Sequence, residues 1–148
     1  MTSTASSTTP IADARAPGLT HYAASGVLEH VLARHGVTFQ QQAALRSAAE
    51  PKTPDHLVTQ VRDSLKADPA GIRDALGELR AERLLVEDGT HLRTTDTGRE
   101  LLAAIGRQTA PVSHRIRDDI PDEDLAAAGR VLALVTARAN AELAALTP

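Results

Sequence analysis

Residues 67–102 read ADPAGIRDALGELRAERLLVEDGTHLRTTDTGRELL. Asp68 followed by Pro69 is a helix start, because an Asp side chain accepts from the free N–H groups of the first turn and proline has no N–H to lose there. Ile72, Leu76 and Leu79 recur at helical spacing and give that helix a buried face ending near Leu84. LLVEDGTHLRT then reads as a hairpin. Asp88-Gly89 is a strong two-residue turn signal, and centring the turn there sets Glu87 opposite Thr90 and Leu85 opposite Leu92. Thr95 or Asp96 caps a further helix carrying Leu101, Leu102 and Ile105, interrupted around Pro111.

Upstream, Thr53-Pro54 repeats the same start signal only fifteen residues before Asp68-Pro69. Its helix buries Leu57, Val58, Val61 and Leu65. Two short helices joined by two or three residues, with Pro69 forbidding a straight run, must turn on each other. Thr38 with Gln41 three residues later forms a capping box for a helix through about Ala49. Before it, Val27, Leu28, Val31 and Leu32 make one apolar stripe that Gly36 stops. The last helix opens at PDED, with acids on its positive end. It carries Leu125, Leu132, Val135, Ala139 and Leu143 at helical spacing. Alanines make it slim on nearly every side, so it sits in a core or meets a partner chain.

Composition bounds the function. The 148 residues suffice for one domain with a real core, yet they include one Tyr, one Phe and no Trp. A core of Leu, Val, Ile and Ala suits closely packed helices better than a sheet. Without cysteine there is no disulfide framework and no thiolate metal site. His21, His30, His35, His56, His91 and His114 show no metal-ligand spacing, so no metal and no cofactor is expected. No nucleophile elbow and no phosphate-cradling glycine loop occurs, and no enzyme activity is expected. No apolar run approaches the roughly 20 residues that cross a bilayer. The N-terminus lacks a secretion signal, which leaves the cytoplasm as the expected location and no membrane partner. Net charge is -3, against a broad nucleic-acid coat but compatible with a local DNA-reading patch.

Helix, tight turn, helix and a two-stranded ribbon make a winged helix-turn-helix. A helix fits the major groove, where base edges differ in their donors and acceptors, and the ribbon flanks the backbone beside it. ADPAGIRDALGELRAERLLVED resembles the recognition helix and first wing strand of the MarR family of transcriptional regulators. RTTDTGRELL resembles that family's Leu-Thr-x-x-Gly-Arg-x-Leu-Leu, with Thr95, Gly98, Arg99, Leu101 and Leu102 matching. HGVTFQQQAALRSAAE and IPDEDLAAAGRVLALVTARANAEL are similar to its first helix junction and closing helix. The resemblance runs from Leu19 to about Leu146. It implies a mainly α winged-helix homodimer joined by its first and last helices. It implies a repressor on palindromic double-stranded DNA, released by a small aromatic or phenolic ligand. The wing departs from the family pattern in being short and acidic at its tip, which disfavours insertion beside phosphates.

On this reading residues 1–17 are a disordered arm, 18–36 a dimerisation helix, 37–98 the DNA-binding lobe and 99–146 the C-terminal dimerisation helices. Pro69, Ala70, Gly71, Arg73, Asp74, Gly77, Arg80 and Arg93 are the candidates for DNA contact. Arg73 either reads guanine bidentately or pairs with Asp74 or Glu78 on a solvated face. Arg80 and Arg83 serve phosphate or a salt bridge. His21, Tyr22 and His114 are candidate polar handles for the ligand, a placement that comes from the resemblance. Between Arg46 and Arg107 ten Lys or Arg stand against eleven Asp or Glu. That balance keeps an alternative open, a winged-helix interaction or ligand-binding module without operator binding.

Overall fold

The computed structural model describes residues 12–147. They form α1 (Arg15–Arg34), α2 (Phe39–Ser47), α3 (Pro54–Leu65), α4 (Pro69–Ala81), β1 (Leu85–Asp88), β2 (His91–Thr94), α5 (Asp96–Arg117) and α6 (Asp122–Leu146). This is the mainly helical winged helix-turn-helix expected from the sequence. Two compact units divide it. Residues 25–115 make one, and the described residues before Ser25 make the other together with those from Ile116 onward.

In the unit 25–115, helix starts follow local caps. The Thr38 side chain accepts from the Gln41 N–H (3.1 Å), while the Gln41 carboxamide oxygen accepts from the Thr38 N–H (2.9 Å), a complete capping box. Thr53 caps α3 and Asp68 caps α4, each followed by proline. Lys66, at φ +53°, turns the chain from α3 into α4. Helices α2, α3 and α4 pack on one another. Leu32, Leu45, Leu57, Ile72, Leu79 and Ile105 are fully buried in their shared core.

Gln41 does more than cap. It is buried, and its amide nitrogen donates to a Glu78 carboxylate oxygen at 2.6 Å, tying the start of α2 to α4.

Five expectations change. Helix α4 ends at Ala81, short of Leu84, because Arg83 takes φ +60° and turns the chain into β1. The hairpin register differs by two residues. Leu85 pairs with Thr94, Val86 with Arg93, Glu87 with Leu92 and Asp88 with His91, so Gly89 and Thr90 form the tip. Gly89 has φ +62° and Thr90 does not have a positive φ, the pattern of a turn with glycine first rather than second. Strand β2 is held from its other side, which sets the register. Lys52 and Leu92 exchange two backbone hydrogen bonds (3.1 and 2.8 Å), and the Thr94 N–H donates to the Ala48 carbonyl at 2.9 Å.

Helix α5 runs through Pro111 instead of breaking there. Proline removes one N–H from the ladder, and the Thr109 hydroxyl reinforces the preceding turn by donating to the Ile105 carbonyl at 3.0 Å. The fourth change concerns residues 12–17 of the expected arm. Asp13 accepts from the N–H groups of Arg15 (2.9 Å) and Ala16 (3.1 Å), and α1 begins at Arg15. Residues 1–11 of that arm lie outside the described residues. Ile105 also belongs to the core with α2, α3 and α4, so the start of α5 packs with the lobe expected to end at residue 98.

In the other unit, α6 carries Asp122, Glu123 and Asp124 in its first turn, against the positive helix end. None of its residues is buried. Val131 (52%), Leu132 (47%), Leu134 (50%) and Val135 (47%) stay exposed on successive turns.

Candidate nucleic-acid interface

The face of α4 opposite the core carries the predicted contact residues. Pro69, Ala70, Arg73, Asp74, Gly77 and Arg80 are exposed, and Gly71 is half-buried beside Gln40. Ile72, Ala75, Leu76 and Leu79 are buried on the other side. Thirteen residues at about 1.5 Å each make a helix of about 20 Å, long enough to lie across a DNA groove. Gly77 has open space where a side chain would stand. A shallow cavity of about 190 Å³ runs beside it, lined by Asp55, Val58, Arg73, Leu76, Arg80 and Leu92 among others.

The wing is fixed to the lobe by buried polar contacts. The Thr94 hydroxyl donates to the Leu45 carbonyl (2.7 Å), fully buried. The Thr95 hydroxyl donates to the Arg83 carbonyl (2.8 Å) and accepts from the Gly98 N–H (3.0 Å), so Thr95 rather than Asp96 caps α5. Arg99 donates to the Thr94 carbonyl at 2.8 Å and pairs with Asp96. The Thr-x-x-Gly-Arg motif is thus the hinge pin between wing and α5.

Each arginine among the predicted contacts is already paired with a carboxylate. Arg73 pairs with Asp55 on α3 at 3.3 Å, where the sequence pointed to Asp74 or Glu78. Arg80 pairs with Glu87 on β1. Arg93 pairs with Asp88 across the ribbon at 3.4 Å. By contrast, Arg46, Lys66, Arg83 and Arg107 have no carboxylate within ion-pair distance among the described residues.

Of the three candidate ligand residues, His21 and Tyr22 lie in one compact unit and His114 in the other. The rings of His21 and Tyr22 stand 5.6 Å apart, inclined at 60°. His21 borders an apolar hollow of about 530 Å³ between the start of α1 and α6, with Thr20, Pro17, Val131 and Leu132. Tyr22 does not line it and is 75% exposed. His114 is exposed on α5, in the unit 25–115. A second cavity, of about 520 Å³, lies between α2 and α5, lined by Gln42, Arg46, Ala49, Leu102, Ile105 and Thr109 among others. The sequence reading missed it. Its only sequence signal is Leu102 and Ile105 on the same α5 face, which reads equally well as core. Among the described residues no three His, Asp or Glu side chains could share a metal ion. No helix among them is long and apolar enough to cross a membrane.

No protein-family model matches the chain, and no curated protein matches it in sequence. Solved structures match it in fold. Ligand-free NadR is 20% identical, with a TM-score of 0.70, covering 88% of this chain and 98% of its own. A MarR-family transcriptional regulator from Rhodococcus sp. RHA1 is 20% identical, with a TM-score of 0.64 over 78% of this chain and 86% of its own. CouR from Rhodococcus jostii RHA1, bound to p-coumaroyl-CoA, is 20% identical, with a TM-score of 0.64 over 78% and 84%. The fold of this chain is the MarR-type winged helix.

Proposed function

We propose that this winged-helix protein is a DNA-binding transcriptional regulator, working as a homodimer in the cytoplasm and without enzymatic activity of its own. In the finer reading it is a repressor that leaves a palindromic operator when a small aromatic or phenolic ligand binds. The observation that carries this is the exposed, slim face of α4 in front of a ribbon locked to the lobe through Thr94 and Gly98. A rigid helix with glycine at its centre is what close approach to base edges needs. The apolar, unburied face of α6 supports the homodimer, since an exposed apolar patch of this kind marks an interaction surface. The ligand class is supported by CouR, a fold relative that holds a phenolic thioester. The cavity between α2 and α5 lies within the range of volumes that take small molecules.

The test is selection of duplexes from a random-sequence library by the full chain. Enrichment of an inverted repeat supports the reading. A library that emerges without an enriched sequence removes it.

One observation favours the interaction-module alternative. Arg73, Arg80 and Arg93, the three arginines among the predicted DNA contacts, each already have a carboxylate partner.

A further inference from the structure

We infer that Asp55, Glu87 and Asp88 are specificity-determining residues that hold the DNA-facing arginines in place of phosphate. The inference rests on the DNA-binding reading above. A carboxylate and a phosphate offer a guanidinium the same chemistry, two oxygens that accept its forked N–H groups. Asp55 from α3 occupies Arg73, Glu87 from β1 occupies Arg80, and Asp88 occupies Arg93. Each pair except the last joins α4 to a different neighbouring element, and Arg73 and Arg80 stand on either side of open Gly77 along one groove. Every acid is mostly exposed, so each remains beside the DNA surface after its arginine has left it.

The consequence is an exchange rather than a simple gain. An exposed ion pair is weak, so DNA phosphate can displace the carboxylate. The displaced carboxylate then faces phosphate and recruits a cation, cancelling part of the counterion release that normally drives binding. Duplex of arbitrary sequence therefore gains little from these three arginines. Only a sequence that adds base contacts along α4 completes the exchange. The face is discriminating because its arginines are paired, and the pairing that favoured a non-binding module becomes the source of selectivity.

The test compares the full chain with its Asp55→Asn, Glu87→Gln, Asp88→Asn triple variant on a random-sequence 30-base-pair duplex, by fluorescence anisotropy across a salt series. A control triple variant, Glu123→Gln, Asp124→Asn, Glu142→Gln, removes the same charge from α6. The expected result is about tenfold tighter binding by the first variant at low salt and a salt slope steeper by about 0.9 for each freed arginine. That gain should vanish when Arg73, Arg80 and Arg93 are also changed to Ala, and the α6 variant should not show it. Thermal melts by circular dichroism check folding, and Asp55→Asn alone should give a smaller gain of the same kind without touching the ribbon. Unchanged affinity and slope overturn the inference, as does an equal gain from the α6 variant or one that survives loss of the arginines. Library selection by the unaltered chain judges the regulator reading separately. An enriched repeat with no gain in the variant sinks the exchange alone, and a gain with no enriched repeat sinks the regulator and with it the specificity role of the three acids, leaving only the ion-pair exchange.

Discussion

The backbone of Gly98 is pressed against the carbonyl of Leu84: a β-carbon on Gly98 would stand 2.6 Å from that oxygen and 2.6 Å from the Thr94 methyl. The obstacle is backbone at the start of the wing, which cannot swing aside like a side chain tip. Gly98→Ala should therefore destabilise the chain by about 1–3 kcal/mol, despite alanine's better helix propensity. Urea unfolding followed by circular dichroism measures this. An unchanged midpoint would mean that α5 and the wing are free to part.

Gly77 gives the opposite expectation on stability. It lies in mid-helix with nothing within 4 Å of a built β-carbon, so Gly77→Ala should stabilise by roughly 0.5–1 kcal/mol. The same methyl would stand between Arg73 and Arg80 on the DNA face. Higher stability with weaker binding to a selected duplex is the expected pair of results. Equal or tighter binding would place the DNA elsewhere.

Arg73→Ala should cost about 1–3 kcal/mol on a selected duplex if the side chain reads guanine there, with a smaller loss on random sequence. The substitution also leaves Asp55 without its partner, and Asp55→Asn in the same chain should recover neither selective nor non-specific affinity, because the gain from removing the acid needs the arginine it frees. Competition assays with the two duplexes separate these effects. A uniform loss would make Arg73 a phosphate contact.

Leu132 and Val135 are each 47% exposed on a helix with no buried residue. Two charges in an apolar subunit interface cannot be desolvated without partners. Leu132→Glu with Val135→Glu should turn a dimer into monomer or unfolded chain by light scattering. A wild-type chain that is monomeric at micromolar concentration would remove the premise.

What the sequence determined by itself was whatever a few consecutive residues decide. The starts of α2, α3 and α4 were legible because Thr38 with Gln41, Thr53 and Asp68 each close a hydrogen bond within three residues. The buried faces of α3 and α4 were legible because helical geometry turns spacing into position. The acids opening α6 and its uncovered apolar stripe were read the same way. The tertiary structure decided the rest, where the partner is distant in the chain. The hairpin register depends on Thr94 reaching Leu45, 49 residues back, and on Leu92 bridging to Lys52. Turn propensity at Asp88-Gly89 could not supply that, since Gly89 serves either turn position. Arg73 found Asp55, 18 residues away, rather than Asp74 or Glu78, because packing of α3 against α4 sets which carboxylate is in reach. The need for glycine at position 98 is set by the return of Leu84 across it, a contact between segments that no local pattern encodes.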